Sequence, residues 1–192
     1  MKKLSTTQII LIVIGALLVI SLLWVVGSYN GLVSSDETVS EKWANVQTAY
    51  QRRADLIPNL VETVKQYSDY EGNLLKEVTE ARASIGKASS PSELQAAGNE
   101  MNSALSRLLV VAENYPDLKA NENYLSLQDE LAGTENRIKT ERDIYNKAVK
   151  EMNIKVRRFP TNIIAGMFGF EKKESFEADA GASESPDVGD LF

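Results

Sequence analysis

Four glutamates at helical spacing are the residues best placed to do chemistry in this chain. Glu77 and Glu80 lie three positions apart, and Glu135 and Glu141 belong to another predicted helix. Carboxylates that converge from two helices could bind a metal ion or act as a general acid and base. Such metal sites normally add histidine at Glu-x-x-His spacing, and this chain has no histidine. Neighbouring lysines and arginines instead favour ion pairs on helix faces.

Histidine and cysteine are both absent from the 192 residues. Their absence excludes Ser-His-Asp and Cys-His nucleophiles, thiol redox pairs, disulfides, and zinc sites of the usual Cys/His kind. We therefore expect a protein that is not an enzyme, with no catalytic residue, no metal site and no cofactor. The alternative is an enzyme that uses carboxylates near the polar clusters described next.

Two clusters of polar residues surround Pro58 and Pro116. Each cluster could form a surface that contacts a partner. In the favoured interpretation, their side chains cap helix ends and pair with backbone groups that a proline leaves without a partner. The cluster residues are Arg52, Arg53, Asp55, Asn59 and Glu62 around Pro58, and Asn114, Asp117, Asn121 and Asn123 around Pro116.

The segment from Phe159 to Phe170 is the second most apolar region and is too short to span a bilayer. It could cover the core of the bundle as a lid, which is the favoured interpretation. It could also enter a membrane interface or contact a second copy of the chain. The candidate contact residues are Phe159, Ile163, Ile164, Met167, Phe168 and Phe170.

The elements that position these residues are predicted to be helices. Apolar residues recur at a step close to 3.5 from Val39 to Ile85, which is typical of a bundle seam or coiled coil. This pattern stays in phase across Pro58, so we expect one long helix with a kink there. A break at Pro58 would give four helices and return the 159–170 segment to the bilayer. The lipid interpretation therefore depends on that break.

Two further helices follow. Ser90-Pro91-Ser92-Glu93 is a strong start signal because serine caps, proline suits the first helical turn, and the glutamate can reach back. Pro116 is expected to end this helix. A third apolar stripe runs from Tyr124 to Val156, with Asn121 and Asn123 as candidate caps. Gly133 inside it suggests close approach of a neighbour.

No stretch alternates with a period of two, so strands are not expected. The predicted fold is all-α. It has an N-terminal transmembrane helix and an elongated antiparallel bundle of three long helices, the first kinked at Pro58, with a short C-terminal covering segment.

The transmembrane prediction rests on an unbroken apolar run of 18 residues from Ile9 to Val26. With its neutral flanks, at about residues 6–28, a helix of this length covers roughly the 30 Å hydrocarbon core of a bilayer. A cleaved signal peptide that releases a secreted bundle is the alternative. Lys2 and Lys3 precede the run, and Lys42 is the only basic residue within about 20 positions after it. This bias favours a cytoplasmic N-terminus and an extracytoplasmic bundle.

Charge divides the chain further. Six of its 27 acidic residues follow Lys173, where no basic residue occurs, so the 21 basic residues balance the remaining 21 acids. A neutral folded part gives no electrostatic reason to bind nucleic acid. We expect an anchor at residues 1–28, one bundle domain at 29–173, and a flexible acidic tail at 174–192.

Four stretches of the sequence form a recognisable set: RRADLIPNLVETVKQY at 52–67, EVTEARA at 77–83, AENYPDLKANENYLSLQDELAGTENRI within 105–149, and FPTNIIAGMFGFEKKESFEA at 159–178. With these stretches the chain resembles the LemA family of bacterial membrane proteins. The resemblance implies a helical bundle on a single membrane span, without a general enzymatic activity or cofactor.

Taken together, these features predict a single-pass protein of the bacterial cell membrane that acts as a scaffold or adaptor. Its expected partners are the membrane, another protein of unknown identity, and a second copy of itself.

Overall fold

The computed structural model describes residues 5–66 and 72–177. Within those ranges 87% of residues are helical and no strand occurs, which confirms the all-α prediction. Residues 178–192 of the predicted acidic tail lie outside the described part. The six helices are α1 (Thr6–Lys65), α2 (Gly72–Lys87), α3 (Pro91–Ala112), α4 (Pro116–Lys119), α5 (Glu122–Arg157) and α6 (Thr161–Phe168).

Helix α1 contains the segment that was predicted to span a membrane. Among the described residues it is the one helix long and apolar enough to do so, and none of its apolar window is buried. Exposing this many large apolar side chains to water would be costly, since each contributes about 1.5–3 kcal/mol when buried. The exposed segment therefore has the character of a lipid-facing helix.

The first predicted helix is in fact two helices. Helix α1 continues through Pro58 to Lys65, so proline does not end it, and a separate helix α2 begins at Gly72. The expectation of three long helices was therefore wrong in where the chain divides. The sequence signal lies in the Ser, Asp, Gly and Asn residues between positions 68 and 73, which are types that favour turns.

Local capping explains where α3 and α5 begin. The hydroxyl of Ser90 accepts a hydrogen bond from the Glu93 backbone N–H at 3.2 Å, which confirms the predicted start. The side-chain oxygen of Asn121 accepts from the backbone N–H groups of Asn123 and Tyr124 at 2.9 and 3.1 Å. Asn121 is therefore the cap, and Asn123 lies inside the helix.

Pro116 and Pro160 each lie at the beginning of a helix, a few residues after the preceding helix has ended. Helix α3 already ends at Ala112, and Pro116 occupies the first position of the short helix α4. Helix α5 ends at Arg157, and Pro160 precedes α6. The fixed backbone angle of proline suits a first helical turn, where its missing N–H has no helical partner anyway.

The described structure divides into two compact units, and α1 and α5 contribute residues to both. Unit 1 comprises Met1–Lys42 and Lys147–Lys173, and unit 2 comprises Trp43–Asn146 and Glu174–Phe192. The anchor and tail boundaries at residues 28 and 173 stay predictions.

Each unit has buried apolar side chains, and most of them lie on the predicted stripes. The buried set in unit 1 is Leu32, Val39, Val149, Met152, Ile164 and Ala165. The larger set in unit 2 includes Val46, Tyr50, Ala54, Ile57, Leu60, Val78, Ile85, Leu94, Met101, Leu105, Leu108, Leu118, Tyr124, Ile138, Tyr145 and Phe176.

Candidate functional site

Helix α6 in unit 1 is a short apolar helix with a defined beginning and end. Pro160 precedes its first residue, and Gly169 follows its last with φ of 75°, a left-handed conformation that suits glycine. The backbone N–H groups of Gly169 and Phe170 both donate to the carbonyl oxygen of Ala165. These bonds close the helix and direct the chain away from it.

The two sides of α6 have different environments. Ile164 and Ala165 are buried in unit 1, at 4% and 1% exposure. Ile163 and Met167 lie on another side of the helix and are exposed, as are Phe159 before the helix and Phe168 at its end. We call these four residues the α6 surface, and their exposed fractions range from 52% to 76%.

Contacts of Tyr29 show where the α6 surface lies relative to the exposed apolar run of α1, which ends just before this residue. Its ring centroid lies 4.8 Å from that of Phe168 and 5.9 Å from that of Phe170. Aromatic pairs at these distances stabilise the contact beyond their simple burial. The α6 surface therefore lies beside the end of the candidate membrane span.

Polar contacts hold the same region of unit 1 together. The Lys155 ammonium donates to the Gly31 carbonyl at 3.2 Å and to the Ser35 hydroxyl at 2.5 Å. The Lys173 ammonium lies 2.7 Å from a carboxylate oxygen of Asp36. The end of α5 and the segment after α6 are thus both attached to α1.

These contacts revise the interpretations of the 159–170 segment. The lid interpretation accounts for Ile164 and Ala165, while the α6 surface stays uncovered by the described part of the chain. The reasoning that lipid contact requires a break at Pro58 was wrong. Helix α1 is unbroken there, and α6 still lies beside Tyr29.

The first polar cluster does not converge on one point. Arg53 pairs with Glu135 of α5, whereas Asp55 accepts from Arg82 of α2 at 2.9 Å. Arg52, Asn59 and Glu62 are exposed. The arrangement fits ion pairs between helices, and a partner-contact role for these residues stays a prediction.

The second polar cluster is distributed along the chain from α3 to α5. Asn121 caps α5, as described above, and Asp117 lies in the first turn of α4. Asn114, Asp117 and Asn123 are exposed. A partner-contact role for the residues of this cluster stays a prediction.

The four glutamates each lie beside a different basic residue. Arg107 lies 2.9 Å from Glu77, Lys76 3.9 Å from Glu80, and Arg137 2.7 Å from Glu141, while Glu135 pairs with Arg53. No group of three or more metal-binding side chains occurs in the described ranges. The carboxylates thus form ion pairs instead of a shared site.

An open groove in unit 2 contains Arg52, one of the candidate residues of the first cluster. Its volume is about 520 Å³, and its lining includes Arg52, Glu130, Gly133 and Arg137. No atom lies within 4 Å of a Cβ built on Gly133. The expected close approach at Gly133 was therefore wrong, since this glycine faces open space.

Sequence reasoning did not find the asparagines that bind the chain after α6. In unit 2 the Asn146 amide donates to the Phe176 carbonyl at 3.1 Å and accepts from its N–H at 2.9 Å. In unit 1 Asn153 makes the same pair of bonds with Lys173, at 2.9 and 2.8 Å. Their spacing of seven residues, beside the buried stripe of α5, is the signal that could have found them.

Phe176 is buried among aromatic residues of unit 2. Its ring centroid lies 5.5 Å from that of Tyr145 and 6.0 Å from that of Trp43, with the Arg142 guanidinium 5.0 Å from the ring centre. The Tyr145 hydroxyl donates to the Glu174 carbonyl at 2.9 Å. Burial, with a smaller contribution from Glu174, raises the pKa of Tyr145 above its ordinary value. This hydroxyl therefore stays protonated and available as a donor.

Comparison with known proteins identifies one family and several similar proteins. The model of the LemA family matches residues 42–189. Magnetosome protein MamQ 2 of Paramagnetospirillum magneticum is 27% identical over 84% of this chain and 72% of its own length. Protein LemA of Metamycoplasma hominis is 26% identical over 80% of this chain and 70% of its own length.

Proposed function

The chain belongs to the LemA family, and on that premise we propose that it is a membrane-anchored scaffold or adaptor of the bacterial cell envelope that does not catalyse a reaction. One observation carries the proposal. The exposed apolar segment and a buried part of the core belong to the same uninterrupted helix, α1. Such a helix fixes a folded bundle to a bilayer without a flexible linker.

The same helix supports an uncleaved anchor over a signal peptide. Cleavage after Val26 would cut within α1 and release the chain close to Tyr29. Tyr29 packs against Phe168 and Phe170, so an anchor that remains attached keeps this contact in place on the membrane.

Extraction of membranes tests the anchor. We expect the full chain to stay in the membrane fraction through alkaline carbonate and high salt, to dissolve in detergent, and to have the uncleaved mass of 21.2 kDa. Ile14→Lys with Leu18→Lys places two charges near the bilayer centre, each costing about 2.5–3.5 kcal/mol, and should reduce insertion. Val110→Lys, at a residue 62% exposed in unit 2, is the control. Carbonate release of the unaltered chain would contradict the proposal.

We further propose a cytoplasmic N-terminus, based on Lys2 and Lys3. The chain has no cysteine, so Asp187→Cys gives a single labelling site in the tail. A maleimide that cannot cross membranes should label this site in intact cells whose outer barrier has been removed. Labelling only after lysis would show that the tail lies in the cytoplasm and would contradict the proposed orientation.

The non-catalytic part of the proposal is supported by the paired glutamates. A carboxylate-based enzyme would need carboxylates in one desolvated pocket, and the four glutamates discussed above have separate basic partners. Isothermal titration with Mg²⁺, Mn²⁺ and Zn²⁺, together with a broad hydrolase screen, tests this. Stoichiometric metal binding that is lost in Glu77→Gln would favour the enzyme.

An adaptor must contact another protein, and the groove that contains Arg52 is the proposed place. Arg52, Glu130 and Arg137 present both charge signs there. A photo-crosslinking residue at position 52 should capture a protein in cells, and the same residue at position 110 should not. Equal capture at both positions would contradict a specific contact at the groove.

A further inference from the structure

Helix α6 is apolar on almost all sides, but the described part of the chain covers only one of them. From Ile163 to Phe168 the sequence IIAGMF contains no polar side chain. Ile164 and Ala165 are buried, whereas Ile163 and Met167, four residues apart on one side, are 52% and 73% exposed. A helix that is hydrophobic all round normally lies in a protein core or a membrane. The uncovered side therefore calls for an apolar environment from outside the chain.

Tyr29 gives the depth of this helix relative to the candidate span. Tyr29 follows the last residue of the apolar run, Val26, by three residues, which is about 4.5 Å along a helix. Gly31, which Lys155 contacts, is about 7.5 Å from Val26. The headgroup layer on each side of a bilayer is roughly 5–7 Å thick. Phe168, in contact with Tyr29, thus lies at headgroup level if α1 spans the bilayer.

The charged residues around α6 also fit a location at the level of the lipid headgroups. Between Arg157 and Lys173 the chain has four basic residues and a single acidic one, Glu171. Arg157, Arg158 and Lys172 are exposed, immediately before and after the apolar segment. Basic residues beside apolar ones are typical of helices that lie in the interface of an anionic membrane.

We propose that the α6 surface inserts into the interface of the bilayer that α1 spans, while Arg157, Arg158 and Lys172 bind anionic phospholipid headgroups. This proposal rests on the membrane span of the preceding section. The α6 surface then provides a second membrane contact, which holds unit 1 against the headgroup layer as well as through α1.

A second copy of the chain is the other occupant to consider. Two copies joined symmetrically through their α6 surfaces would bring Arg157, Arg158 and Lys172 of both chains close together. Basic side chains that are brought close together repel each other, whereas anionic headgroups attract them. The exposed span and Tyr29 belong to the same helix. When this helix spans a bilayer, lipid surrounds it next to Phe168, and no further protein is needed to cover the α6 surface.

Site-specific quenching tests the proposal on the full chain. Because the chain lacks cysteine, Ile163→Cys and Met167→Cys each allow a single environment-sensitive fluorophore. The labelled chain is reconstituted in vesicles of phosphatidylcholine and phosphatidylglycerol, with a nitroxide on the lipid or iodide in the water as quencher. We expect lipid nitroxide to quench labels at 163 and 167, and iodide to quench a label at exposed position 110.

Three outcomes would separate the hypotheses. A label introduced by Leu17→Cys reports the span, so lipid quenching at 17 but not at 163 or 167 would overturn the α6 proposal alone. Absence of lipid quenching at 17 would overturn the proposed anchor. Protection of position 163 from both quenchers, with crosslinking between two chains through that cysteine, would show a second copy and overturn lipid contact.

The headgroup contact has its own variants. Replacing Arg157, Arg158 and Lys172 by glutamine should weaken lipid quenching at 163 in the anionic vesicles, as should omission of phosphatidylglycerol. The matched control replaces the exposed residues Lys87, Lys119 and Lys139 of unit 2 and should leave this quenching unchanged. Equal quenching in both triple variants would contradict the role of the three basic residues.

Discussion

The ring of Tyr50 in α1 lies directly against the backbone of Gly98 in α3. A Cβ atom built on Gly98 would stand 2.7 Å from Cε1 of the ring and 3.3 Å from its hydroxyl oxygen. Tyr50 is only 4% exposed, so the ring is enclosed by the core of unit 2. Glycine at position 98 is what allows an aromatic ring to fill this space between two helices.

Gly98→Ala should destabilise the protein. The added methyl group must displace an enclosed ring, and such overpacking typically costs about 1–3 kcal/mol. This cost exceeds the gain of up to about 1 kcal/mol that alanine brings to a helix. Thermal unfolding in detergent, followed by circular dichroism, should show a lower midpoint. An unchanged or higher midpoint would mean that the ring moves aside freely.

Gly133→Ala should have the opposite effect and serves as the matched control. Gly133 lies inside α5, and nothing stands within 4 Å of the added Cβ. Alanine should therefore stabilise the folded state by about 0.5–1 kcal/mol through its lower conformational entropy when unfolded. The same unfolding measurement checks this. A lower unfolding midpoint for Gly133→Ala would contradict the expectation that the added methyl group meets no neighbouring atom.

Asn146→Ala should loosen the segment that contains Phe176. The variant removes both hydrogen bonds to the Phe176 backbone, a loss of roughly 1–3 kcal/mol for partly buried groups. Hydrogen exchange of the Phe176 amide should accelerate, and the unfolding midpoint should fall. Asn136→Ala on an exposed position of α5 is the control. Equal effects of the two variants would contradict a specific role for the Asn146 amide.

Glu93 should make α3 sensitive to acid. Its carboxylate accepts from the Ser89 backbone N–H at 2.8 Å and from the Ser89 hydroxyl at 2.9 Å. These bonds lower the pKa of Glu93 in the folded state below the ordinary value of 4.5. Since the folded pKa is depressed, the stabilisation is present above pH 4.5 and is lost as pH falls through the lowered pKa.

Carbon-13 NMR titration of the Glu93 carboxyl checks this prediction. Ser89→Ala removes the hydroxyl donor and keeps the backbone donor, so the pKa should rise part of the way toward its ordinary value. Glu93→Gln should remove this contribution to the pH dependence of unfolding. A carboxyl that titrates at its ordinary value in the unaltered chain would contradict the capping contact.

Periodic patterns and caps predicted much of the fold. The stripe positions Val39, Ile85 and Tyr124 are buried as expected, and Ser90 and Asn121 cap the helices that they were predicted to start. These features depend on residues within one or two helical turns, so a single segment contains the information. The separate helix α2 was not predicted, because apolar residues recur at the same step in the sequence before Lys65 and after Gly72.

The candidate sites were less accessible to the same reasoning. Gly98 and Gly133 are both glycines inside helices, and only the neighbouring helix decides that one touches Tyr50 and the other faces open space. Likewise, Arg53 and Asp55 are two residues apart, yet their partners Glu135 and Arg82 lie on different helices. Partners distant in sequence depend on how helices pack, which local spacing does not encode.

The sequence by itself determined that the protein is helical, that it begins with a segment able to span a bilayer, and that it lacks histidine and cysteine chemistry. These properties follow from composition and from periods of a few residues. Only the tertiary structure decided that α6, more than 130 residues after Tyr29, packs beside it with one apolar side uncovered. That contact joins residues far apart in the sequence, so it depends on the packing of several helices and not on local spacing.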